Sequence, residues 1–200
     1  MRGFSEEERA RIRRGLLETG REQFARYGPK KTTVSDLTDP VGIANSTFYR
    51  FFDSKEALYA EILQSLDEEL AETVLSESLE ATDDPREAIR RFLTAITERI
   101  EGDPLLRRVI VDDAYDDLAA LQSPEERDAE REEELAYLVP YVERWQEAGL
   151  VRDADPRVFA NVLRAAVYVT LHREEIGEEL YDETIDLYFD ALADGLTETE

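Results

Sequence analysis

The sequence predicts an all-α protein of about nine helices: an N-terminal three-helix unit, residues 1–53, followed by a helical remainder, residues 54–200. Three observations carry that reading. Apolar residues recur at three- and four-residue spacing through most of the chain. No stretch alternates apolar and polar residues as a half-buried strand does. The breaks fall at glycines and at Asp-Pro or Ser-Pro pairs, which stop one helix and start the next.

Taken in order, Ser5 and Glu8 form a capping-box start. Ile12, Leu16, Phe24 and Tyr27 follow at helical spacing, and Gly28 suits the turn after a helix. Thr33 with Asp36 opens a short second helix. Gly42 marks a tight turn, and a third helix is expected over Asn45 to Phe51. Asp53 and Ser54 offer the next cap, before a long helix with Leu58, Ile62, Leu66, Leu70 and Val74 inward. After Thr82-Asp83-Asp84-Pro85, Ile89, Phe92, Ile96 and Ile100 make a fifth helix, stopped at Gly102-Asp103-Pro104. The sixth is expected from Leu105 to about Leu121. The seventh starts at Ser123-Pro124 and buries Leu135, Leu138, Val142 and Trp145, with a kink expected at Pro140. Asp155-Pro156 starts an eighth that runs to Leu171. A ninth covers about Glu179 to Leu196.

Composition narrows the chemistry. Cysteine is absent, which excludes disulfides, thiolate metal sites and cysteine nucleophiles; the lone His172 argues against a zinc site or a histidine triad. No apolar run reaches membrane-spanning length, and the N-terminus lacks the apolar core of a secretory signal. A cytoplasmic protein with no membrane, metal or cofactor is expected. Phosphate-cradling glycine loops are missing too, so the chain does not read as an enzyme.

Asp and Glu number 48 against 24 Lys and Arg, a net charge of −24, and only three of the basic residues are lysines. Such acidity suits a cytoplasm at molar salt, where the Debye length is about 3 Å and like charges barely repel. An acidic protein of ordinary salt is the alternative. The charge is uneven. Residues 1–58 hold 11 basic and 9 acidic residues, +2; the other 142 hold 13 and 39, −26. All three lysines, Lys30, Lys31 and Lys55, lie in the first part. A polyanionic partner explains the spared end; chance clustering is the bland alternative.

Three helices with a glycine turn between the second and third describe a helix-turn-helix, whose last helix enters the DNA major groove. With Phe48, Phe51 and Phe52 packing inward, Asn45, Ser46, Thr47, Tyr49 and Arg50 are left outside. Small hydrogen-bonding groups on an exposed helix suit base edges and phosphates. The run TTVSDLTDPVGIANSTFYRFFDSKEALYAEIL resembles the DNA-binding domain of the tetracycline-repressor (TetR) family. The resemblance is carried by the Thr-Val pair, Gly42, Thr47-Phe48-Tyr49, Phe52 and Ser54-Lys55-Glu56-Ala57-Leu58, and upstream by Phe24-Ala25-Arg26-Tyr27-Gly28. It covers roughly residues 10 to 63. Two departures stand out: Pro40 lies where the second helix would continue, and Ala44 replaces the usual polar cap of the recognition helix.

The resemblance implies phosphate contacts at Thr33 and Tyr49, although Thr33 is equally a plain helix cap. Lys55 is assigned to a phosphate because a cation in the first turn of a helix opposes the helix dipole. Asn45, Ser46 and Arg50 are candidates for the major groove, and Thr47 and Ser35 are further DNA candidates. Lys30 and Lys31 read equally as a solvated loop, and Arg2 as a minor-groove arm or a loose end.

By architecture, the resemblance extends to a C-terminal ligand-binding and dimerisation part whose last two helices pair with those of a second copy. Val158, Ala165, Tyr168, Val169, Tyr181, Tyr188 and Leu192 are the expected dimer face. Arg108, Tyr115, Trp145, Arg164, Tyr168 and His172 are pocket candidates, each also readable as core. Asp112, Asp113, Asp116 and Asp117 read as a hydrated acidic surface rather than a cation site. The implied function is a homodimeric, small-molecule-responsive repressor on a palindromic operator. An inducer-free architectural or division-linked DNA binder is the alternative, and a helical interaction scaffold a more remote one.

Overall fold

The computed structural model describes residues 4–111 and 124–198, which form ten helices. They are α1 (Glu6–Lys31), α2 (Val34–Thr38), α3 (Asn45–Phe48), α4 (Lys55–Glu77), α5 (Pro85–Gly102), α6 (Pro104–Val111), α7 (Pro124–Glu147), α8 (Pro156–Thr170), α9 (Arg173–Ile176) and α10 (Tyr181–Leu196). The chain divides into two compact units: residues 1–69 with 102–115, and residues 70–101 with 116–200. The division falls inside α4. Tyr115, the four aspartates between 112 and 117, Arg2 and the far half of the expected sixth helix lie outside the described residues.

In the first unit, α1 begins as the sequence predicts. Ser5 Oγ accepts from the Glu8 amide at 3.1 Å, and the Glu8 carboxylate returns to the Ser5 amide at 3.0 Å. Ile12, Leu16 and Phe24 form its buried stripe. Gly28 breaks the helix with φ 75°, a value that side chains with a Cβ rarely adopt. The Thr32 amide and hydroxyl then both donate to the Gly28 carbonyl, at 3.2 and 2.8 Å. Gly20 lets α1 sit directly on α4: a Cβ there would lie 2.7 Å from Ile62 Cδ1. Leu37, Phe48, Leu58, Ile62 and Leu105 complete this core.

In the second unit, α7 packs on α8, and α9 on α10. The core is drawn from α5 (Ile89, Phe92, Leu93), α7 (Leu138, Val142, Trp145), α8 (Phe159, Leu163) and α10 (Ile185, Phe189). Helix α7 continues through Pro140. An isolated antiparallel pair, Val151 with Thr197, ties the α7–α8 loop to the end of α10. No helix of the described residues is long and apolar enough to cross a membrane.

Candidate nucleic-acid interface

The second helix is short because Pro40 cannot continue it. Helix α2 ends at Thr38, and the turn closes through Ile43 N to Thr38 O at 3.2 Å, with Gly42 at φ 74°. At its start Thr33 is a complete cap. Its Oγ accepts from the Asp36 amide at 3.3 Å, and the Asp36 carboxylate takes both the Thr33 amide (2.8 Å) and hydroxyl (2.7 Å). The hydrogen bonds from the Thr33 hydroxyl and amide hold the Asp36 carboxyl below its ordinary range.

Helix α3 is shorter than expected, ending at Phe48, with turns carrying the chain on to Phe51. Ala44 supplies no side-chain cap. The start of the helix is held from outside instead. Thr38 Oγ1 donates to Asn45 Oδ1 at 2.6 Å, and Asn45 Nδ2 donates to Ser35 Oγ at 2.8 Å. The amide expected to read a base thus bridges α2 to α3, and Ser35 is its partner. Phe48 and Phe52 are buried, their rings 5.8 Å apart. Phe51, also expected inward, is only half-buried and lies beneath Arg9, whose Cζ is 5.2 Å from its ring centroid. Ser46 and Arg50 are exposed and Thr47 half-exposed. Tyr49 is 58% exposed. Arg50 lies over the ring of Phe4 at 4.9 Å.

Lys55 does not stand clear for a phosphate. Its Nζ donates to the Pro29 carbonyl at 2.7 Å and the Thr32 carbonyl at 2.8 Å. The residue that opposes the dipole of α4 sits on the carbonyls where α1 ends, where a cation is favoured. The sequence reading missed this because only the fold brings residues 29 and 55 together. It also missed Phe4, whose signal was an aromatic residue directly before a helix cap.

The family model for bacterial regulatory proteins of the tetR family matches residues 16–62, the segment that builds α1 to α4 around this turn. The HTH-type transcriptional repressor DhaR of Mycobacterium sp. strain GP1 is 27% identical over 194 residues, covering 92% of this chain and 93% of its own. Residues 16–62 thus carry a DNA-binding segment of the TetR family. Solved TetR-family structures share its fold. A regulator from Pectobacterium atrosepticum superposes with a TM-score of 0.71 at 22% identity, covering 98% of this chain and 99% of its own. SmeT, the repressor of the Stenotrophomonas maltophilia multidrug efflux pump SmeDEF, gives 0.69 at 22% identity, covering 93% and 90%. SmeT is also known as a complex with triclosan. The matched segment and the regulator aligned along the chain support a DNA-binding transcriptional regulator.

The remaining candidates spread out. In the first unit, Arg108 donates to the Ala25 carbonyl at 3.3 Å and its Nε would touch a Cβ at Gly28. In the second unit, Trp145 is core. Arg164 lies over Tyr168 at 5.5 Å, and exposed His172 has Nδ1 2.8 Å from the Tyr168 carbonyl. A cavity of about 560 Å³ opens there between the end of α4 and α7, lined among others by Leu79, Glu80, Tyr137, Tyr141 and Arg144. None of the five pocket candidates among the described residues lines it. Burial, and then the Glu80 carboxylate 2.6 Å from its hydroxyl, push Tyr141 up to about 12.

Of the expected dimer face, Val158 (59% exposed), Ala165, Tyr168 and Val169 are exposed, and Tyr188 and Leu192 are half-buried. Tyr181 is a correction. It is 2% exposed, its hydroxyl donates to the Thr170 carbonyl at 2.8 Å, and Arg173 lies 3.6 Å over its ring. It is core because α9 brings Arg173 back onto the first turn of α10. Leu187 was missed and is the most exposed large apolar side chain among the described residues, at 71%.

Proposed function

We propose that this TetR-family regulator is a homodimeric repressor that leaves a two-fold symmetric operator when a small molecule binds its second unit. The observation that carries the reading is the apolar face of α8. Val158, Val162, Ala165 and Val169 are exposed on a helix whose other side already fills the core with Phe159, Leu163 and Ala166. A stripe of that kind is a surface for a second copy. One helix-turn-helix with near-neutral charge makes a weak DNA ligand, whereas two held in register span successive major grooves about 34 Å apart. The SmeT–triclosan complex and the repressor name of DhaR support the effector and the direction of control. Ligand binding then shifts the population towards a spacing the operator does not fit.

Ala165→Glu places a carboxylate within that face, which costs several kcal/mol in an apolar interface. Light scattering should fall from twice the 23.0 kDa chain mass towards one, and binding to a palindromic duplex should fall with it. A wild-type chain that remains monomeric in molar salt refutes the arrangement.

A further inference from the structure

We propose that Arg9 and Arg50, each laid on a phenylalanine ring, form a second DNA-backbone site beside the recognition helix, with Phe4 as its positioning residue. The inference rests on the DNA-binding reading above. The elements meet in one stack. Arg50 Cζ lies 4.9 Å from the Phe4 ring centroid, the Phe4 and Phe51 rings are 6.2 Å apart, and Arg9 Cζ lies 5.2 Å from the Phe51 ring.

The local sequence explains why this stack exists. Phe4 directly precedes the cap Ser5, where an apolar residue ordinarily packs on the residue four places into the helix. Here that residue is Arg9. Phe4 therefore reaches across to Phe51, and Phe51 carries the Arg9 guanidinium on its face. The capping box between Ser5 and Glu8 fixes the chain directly behind Phe4.

The chemistry points to phosphate. Both arginines are exposed, and neither has a carboxylate within ion-pairing distance among the described residues, in a chain with twice as many acidic as basic groups. A guanidinium stacked on a ring keeps its in-plane N–H donors facing outward, and a phosphate takes two of them side by side. Stacking also orders the side chain before DNA arrives. That matters most in high salt, where counterion release contributes little and the entropy of ordering a long side chain weighs more.

The test uses the full chain and a duplex selected from a random pool by the wild-type protein, with affinity measured across a range of KCl. Arg9→Gln should weaken binding several-fold on every sequence and lower the salt slope by about one. Phe4→Leu, which keeps the apolar bulk and removes the ring, should weaken binding while leaving the slope and the melting temperature in place; Phe4→Tyr should restore wild-type binding. Unchanged affinity and slope in Arg9→Gln overturn the site. A normal Phe4→Leu beside a weakened Arg9→Gln overturns the role of Phe4. If the wild type selects no duplex at all, the DNA-binding reading falls with it.

Discussion

At Lys55 the ammonium takes two main-chain carbonyls, and its side chain is 23% exposed. Hydrogen bonds from a charged donor contribute about 1.5–3 kcal/mol each, and removing the donor leaves part-buried carbonyls without their partner. Lys55→Met should therefore lower the melting temperature clearly while leaving the salt slope of DNA binding unchanged. An unchanged melting temperature with a slope lower by about one would return Lys55 to the phosphate role read from the sequence. Asn45 makes the same point in a different chemistry. Its residue type is a good base reader and its position is right, but Thr38 and Ser35 are within reach of both ends of its amide. Residue type and helical phase showed which side chains flank the turn. They did not show which of those side chains the protein already uses on itself.

Among the elements, the long helices were legible because their buried stripes recur at helical spacing: Leu58, Ile62 and Leu66 on α4, and Ile89, Phe92 and Leu93 on α5. The short ones depend on single residues. Pro40 shortens α2, and α9, four residues between His172 and Gly177, is too brief to leave a period. Two helices of the first unit start on a carboxylate whose proton affinity is lowered. At Asp103 burial raises the carboxyl, but the amides of Leu106 and Leu105 and the Arg21 guanidinium outweigh it and hold it below its ordinary range. Asp36 is lowered by its Thr33 hydrogen bonds. Both groups bind a proton more weakly folded than unfolded. Their contribution is complete above the unfolded value of about 3.9 and is lost as pH falls from there through the lower folded values. Melting temperature should drop between mildly acidic pH and pH 3, and Asp103→Asn should flatten part of that drop. An Asp103→Asn protein with the wild-type pH dependence rejects the role given to this cap.

For the whole molecule, the dominant quantity is charge. The −26 carried after residue 58 is partly organised: Arg90 pairs with Asp190 at 2.8 Å and Asp186 at 3.1 Å, and Arg86 with Asp194 and with Asp190 at 3.7 Å, which fastens α5 to α10. Exposed pairs of this kind contribute at most about 1 kcal/mol each and weaken in salt. The uncompensated carboxylates repel one another, and that repulsion eases in salt. With a net −24 the second effect should win, so the melting temperature should climb from dilute buffer to molar KCl. A flat profile would count against a high-salt habitat. Amine chemistry on this chain is confined to one end of it. Every side-chain amine lies in the first 58 residues, and the Lys55 amine is closed in between two carbonyls. An acylating reagent should modify exposed Lys31 early and Lys55 last, and leave no lysine label on the second unit. Attaching the protein to a surface through its amines would anchor it by the DNA-binding unit, so binding measurements are better made with the duplex immobilised. The mass added slowly at Lys55 would time the opening of the junction between α1 and α2.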